Sequence, residues 1–128
     1  DRIQIFSPDG EYLSEWTDTQ RPTHIAFDSL GRAYVTELAW HEGDTSYSLG
    51  PITVPRCARM SVFDKNGKVL ARWGTPQVTE PGSFAAPHGL ALDSKNDLYV
   101  SEVTWTFAVS RGRAPEDCHT FQKFSLGA

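Results

Sequence analysis

Apolar and polar residues fall in short runs of four to six, separated by turn-forming residues, and no long window carries a helical period. Ile25-Ala26-Phe27 and Leu90-Ala91-Leu92 are apolar throughout, which predicts strands buried on both faces. Asp28-Ser29-Leu30-Gly31 and Asp93-Ser94-Lys95-Asn96 read as turns. Ala33 to Thr36 and Leu98 to Ser101 form the next strand in each case. Ile3 to Phe6, Met60 to Phe63 and Phe121 to Phe124 form a third type of strand. Pro8-Asp9-Gly10 and Lys65-Asn66-Gly67 follow the first two of these as tight turns, Asn-Gly being a strong hairpin signal. Tyr12 to Trp16 and Val69 to Trp73 complete the hairpins. The pattern predicts an all-β chain of about nine strands. Phe6, Trp16, Ile25, Phe27, Val35, Phe63, Trp73, Leu90, Leu92 and Val100 are its expected buried residues.

The runs repeat. Arg2 to Gly10 returns as Arg59 to Gly67, so that Phe6, Gly10 and Trp16 match Phe63, Gly67 and Trp73 at an offset of 57. Pro22 to Ser29 matches Pro87 to Ser94, and Tyr34-Val35-Thr36-Glu37 matches Tyr99-Val100-Ser101-Glu102, at an offset of 65. Phe121-Gln122-Lys123-Phe124 begins a further copy. Self-similarity of this kind marks a repeat fold, in which a unit buries its apolar face by stacking on its neighbours. With the strands of one unit named a, b, c and d, the chain reads c-d, a-b-c-d, a-b-c. That order is expected of a β-propeller cut out of phase, with the end of one blade at 1–16, a full blade at 22–73 and a blade lacking its last strand at 87–128. A plain antiparallel sandwich is the competing arrangement.

Composition narrows the function classes. A net charge of −4 and scattered basic residues argue against a nucleic-acid surface. No stretch approaches the ~18 apolar residues of a membrane helix. Met60 is the only methionine, so a trimmed, processed or fragmentary chain is expected. Cys57 and Cys118 are 61 residues apart, the spacing of Met60 and Phe121. Equivalent places in consecutive units are too far apart for a disulfide, which predicts free thiols.

Three words carry a resemblance: Pro87-His88-Gly89-Leu90-Ala91-Leu92-Asp93, then Asp97-Leu98-Tyr99-Val100-Ser101-Glu102, and Arg59 to Gly67. They resemble the NHL repeat, over nearly the whole chain except two long loops. The resemblance implies about two and a quarter four-stranded blades of a mainly six-bladed type of propeller. Within that group the chain is similar to the C-terminal part of bacterial proteins resembling peptidyl-α-hydroxyglycine α-amidating lyases. In those lyases histidines of Pro-His words hold a zinc. Pro87-His88 carries that word here, whereas the other copy has Thr23 followed by His24.

In a propeller the d-to-a and b-to-c connections share one face, and here they are the long ones. They span Trp73 to His88, Leu38 to Ala58 and Val103 to Asp117. Long loops on a rigid scaffold are where ligand sites lie. His24, His41, His88 and His119 fall on this face, and Glu37 and Glu102 close strands b beside it. Imidazole with carboxylate suits zinc, calcium or another divalent metal, and equally acid–base chemistry. His88 is the candidate ligand expected to face the channel mouth, with Glu102, Glu37 and His24 as further candidates. Each Glu can instead cap the loop that follows it. Trp40 and Trp105 are candidate walls of the channel mouth, and Arg111 and Arg113 candidate contacts for an anionic ligand.

No nucleophile or other catalytic residue is identified. If the chain is an enzyme, a metal-dependent lyase or hydrolase is expected. The other readings are a non-catalytic scaffold that binds a peptide, a protein or a small molecule, and a self-assembling propeller fragment. Incomplete units at both ends predict a homo-oligomer through open blade edges, three copies closing a six-bladed ring.

Overall fold

The computed structural model describes residues 1–125, so the last three positions of the expected third unit lie outside the described residues. The chain is mostly β, in antiparallel sheets. The first sheet is a hairpin of β1 (Ile3–Phe6) and β2 (Tyr12–Trp16). The second contains β3 (Pro22–Phe27) and β4 (Ala33–Glu37). A two-residue pair, β5 (Thr45–Ser46) and β6 (Gly50–Pro51), decorates the loop that follows. β7 (Arg59–Phe63) and β8 (Val69–Trp73) complete the second sheet in the order β3-β4-β7-β8. The third sheet holds β9 (Pro87–Leu92), β10 (Leu98–Glu102) and β11 (Phe121–Phe124), with β10 in the middle. Between β10 and β11 lie a single helical turn, α1 (Thr104–Phe107), and a 3-10 turn at Val109–Arg111.

The nine expected strands are all present. The two extra strands and the helical turn arise inside the long loops, where no period signalled them. The first strand of each unit begins three residues earlier than its apolar core, at Pro22 and Pro87. Proline is tolerated at that place because it opens the strand and no ladder bond needs its missing N–H.

Alternation along β4 and β7 builds two cores on opposite faces of the second sheet. Ala33, Val35 and Phe63 pack with Ile3, Trp16 and Val69 of the neighbouring first sheet and its own edge. Tyr34, Met60 and Val62 point the other way, into a core with Phe84, Leu90, Leu98 and Val100 of the third sheet and its approach. The aromatic contact between layers repeats. Trp16 meets Phe63 at 5.6 Å and Trp73 meets Phe124 at 5.7 Å between ring centroids. Gly67 turns with φ +82°, and a Cβ there would strike the Trp16 ring, so this turn needs glycine on both counts.

Val35, Phe63, Leu90 and Val100 are buried as expected, and Trp16, Trp73 and Leu92 are half-buried. The expected burial of Phe6, Ile25 and Phe27 is not found: they are 50%, 36% and 61% exposed. Ile25 and Phe27 lie opposite Val35 and Ala33 in the ladder, so they face the first sheet. That sheet has two strands and leaves β3 uncovered. Leu90 and Leu92, their matches in the third sheet, face four strands and are covered.

Candidate functional site

The turns between strands are built alike. Asp28, Asp64 and Asp93 each accept the backbone N–H groups two and four residues ahead. These Asx turns are short and tight and leave the connections at the other sheet ends to carry any site.

Those connections converge. A cleft of about 330 Å³ opens between three of them. Ala39, Trp40 and His41 come from the start of the first b-to-c loop, and Pro55, Arg56, Cys57 and Ala58 from its end. Pro76, Val78, Phe84 and Ala85 come from the d-to-a connection, and Phe107, Ala108 and Arg113 from the second b-to-c loop. Paired backbone bonds between Trp40 and Arg56, at 3.0 and 2.9 Å, clip the first loop shut at its base. The second loop is folded by α1 and by the Arg113 N–H donating to Ala108 O at 2.8 Å.

The walls are apolar and the charged groups are cations. Trp40 is buried with the Arg21 guanidinium 4.7 Å from its ring centroid. Among the described residues no carboxylate lines the cleft. Among the described residues, neither Arg56 nor Arg113 has a carboxylate within ion-pair distance, and Arg111 lies over Phe107 at 5.0 Å instead. A smaller adjoining hollow brings Arg21, Arg111 and Arg113 beside His41. Burial and then the Arg113 charge push the His41 pKa down, against the pull of Asp44, so its imidazole is neutral at neutral pH. The site can therefore hold an anionic group at its rim and an apolar body against its floor.

The expected site residues divide. Trp40, His41 and Arg113 line the cleft, and Arg111 lines the hollow beside it. Trp105 is 62% exposed and forms no wall. His24 is exposed and borders a separate groove with Arg2, Ile3 and Ile25. His88 is exposed on β9, and among the described residues no hydrogen bond or ion pair joins it to Glu37 or Glu102.

Glu37 and Glu102 are buried brackets. Glu37 accepts the Gln20 N–H at 2.6 Å, the Arg59 guanidinium at 2.9 Å and the Ser61 hydroxyl. Glu102 accepts the Ala85 and Ala86 N–H groups at 2.8 and 3.0 Å, with His119 Nε2 3.0 Å from its other oxygen. Each therefore ties the incoming connection to the end of its strand, which is the capping role. Burial raises the Glu102 pKa, partly offset by the Ala86 and Ala85 amides and by His119. His119 is thus held inside this bracket, not at the cleft. Among the described residues no three His, Cys, Asp or Glu side chains are placed to hold a metal ion together.

Cys57 and Cys118 are free thiols, as expected, and burial raises the Cys118 pKa. Cys57 and Arg56 are cleft residues that sequence reading missed. The only available signal was their place just before a c strand, at the end of a long loop. No known family model and no curated protein sequence matches the chain.

Proposed function

We propose that the chain is a section of an NHL-type β-propeller whose long-loop face binds a ligand without catalysis. The ligand is an anion with an apolar body, a small molecule or a peptide segment. Layered antiparallel sheets related by the 57- and 65-residue offsets support the propeller part of this reading. So does the repeat of one Trp–Phe contact between successive layers. The observation that carries the binding part is the cleft. Three connections meet around an apolar floor, and two guanidiniums stand at it that pair with no carboxylate among the described residues. A metal-dependent lyase or hydrolase would require a converging ligand set beside His88, which is exposed and, among the described residues, joins no cluster of His, Cys, Asp or Glu.

Titration with octanoate, followed by tryptophan fluorescence, tests the reading, with octylammonium as the control of equal tail and opposite charge. Octanoate should saturate and octylammonium should not. Arg113→Ala should weaken octanoate at least about tenfold, the value of one charge-assisted hydrogen bond. An equal response to both amphiphiles, or an unchanged Arg113→Ala, would refute an anion site.

A further inference from the structure

The cations of the long-loop face converge on one point. The cleft and the hollow beside it share Ala39, His41, Ala85, Phe107 and Arg113 on their walls, so they are two parts of one depression. The hollow adds Arg21 and Arg111. Its volume is about 10 Å³, room for one oxygen atom, whereas the cleft holds about 330 Å³. Local structure keeps these side chains there. Arg111 ends the 3-10 turn, and Gly112 turns the chain at φ +68°, where a side chain would be strained. The Arg113 N–H is tied to Ala108 O. Arg21 Nη1 donates to Ala39 O at 2.9 Å, with the guanidinium over Trp40.

One of these guanidiniums is balanced. Arg21 has Asp44 Oδ2 at 3.7 Å, and the same carboxylate accepts the His41 N–H at 2.9 Å. Arg111 and Arg113, like Arg56 on the cleft wall, pair with no carboxylate among the described residues. A monoanion leaves one of the two charges at the hollow unanswered. Two carboxylates on one ligand would lie apart, but Arg111 and Arg113 border the same small hollow, so both negative charges belong on one group. A phosphate monoester carries nearly two charges at neutral pH on a single tetrahedral centre, and its oxygens match the guanidinium fork. The Trp40 indole N–H, on the cleft wall, is buried and has no acceptor among the described residues, so the wall holds a donor that the chain itself does not satisfy.

We infer that the anion of the site proposed above, on which this rests, is the phosphate of a soluble monoester whose apolar body is one ring or a short chain. The phosphate sits where the hollow and the cleft join, with one oxygen in the hollow between Arg111 and Arg113 and the others toward the cleft. The body of the ester lies in the cleft against Trp40, Phe84 and Phe107. A cleft of about 330 Å³ is at the small end of ligand pockets, which suits one ring or a short chain better than the two tails of a phospholipid. His41, neutral at neutral pH, adds no further charge, so the two free guanidiniums of the hollow meet a dianion.

Octyl phosphate and octanesulfonate have the same tail and tetrahedral heads, and at neutral pH they differ by nearly one charge. Titrated into the whole chain and followed by tryptophan fluorescence, octyl phosphate should bind at least about tenfold tighter at about pH 7.5. With a second phosphate pKa of about 6, the ratio should shrink to about twofold at about pH 5. A change in His41 or Asp44 protonation acts on both ligands and leaves the ratio. Arg111→Gln, at an exposed position, should close the gap at neutral pH. Equal affinities at neutral pH, a ratio indifferent to pH, or a gap that survives Arg111→Gln overturns the inference, while saturation by octanesulfonate keeps the anion site. Saturation by neither ligand overturns both. Sedimentation with vesicles containing phosphatidic acid, which bears the same phosphate, should leave the protein in the supernatant. Capture on those vesicles overturns the soluble source and puts the ester in a membrane.

Discussion

At the scale of single residues, charge is used here to hold connections in place. Glu37 is wholly buried and satisfies Gln20, Arg59 and Ser61 together, so its removal strands a guanidinium and an amide in the interior. Glu37→Ala should cost about 3–5 kcal/mol in urea unfolding, as for a broken buried pair. The turn aspartates give a pH dependence of definite sign. Burial opposes ionisation of Asp28, but the Arg32 and Leu30 amides and the Arg32 guanidinium outweigh it and lower the pKa. The folded pKa is then below the unfolded one. Its contribution is present above about pH 4 and is lost as pH falls through the folded value. Asp28→Asn should flatten the acid limb of stability measured by denaturation at a series of pH values. Glu102 has the opposite sign. Its raised pKa makes it worth most below its unfolded value, and that share fades as pH rises through the folded value. The sequence made Glu37 and Glu102 visible as residues at matching strand ends. Capping and metal binding were both open there, and the capping became visible only in the neighbouring amides.

At the scale of elements, identical sequence words meet different surroundings. Phe63 lies in the second sheet with neighbours on both sides and is fully buried; Phe6, the same residue of the same word, is half-exposed. Phe63→Ala should therefore cost about 3–5 kcal/mol and Phe6→Ala less than about 1 kcal/mol, read as the shift in urea midpoint at constant slope. All nine strands were legible because period-two alternation and Asp- or Asn-Gly turns are local signals. Burial of Ile25 and Phe27 was not legible. An apolar strand declares that it seeks cover, and whether a neighbour supplies it depends on the other layer. The pair β5–β6 and α1 were equally silent, since loop residues fold there on contacts far away in the chain.

At the scale of the whole molecule, the cleft is a property of the assembled layers. Trp40, His41, Arg111 and Arg113 could be placed on the long-loop face from strand order. Arg56, Cys57, Phe84 and Phe107 could not, because three loops without internal period meet only when the sheets behind them stack. The sequence by itself determined the strands, their turns and the repeat that relates them, since alternation and turn chemistry act over a few residues. Tertiary structure alone decided which apolar faces find cover, which carboxylates become brackets and which cations gather at the cleft. Those outcomes depend on distances between residues tens of positions apart, and a one-dimensional pattern does not carry them.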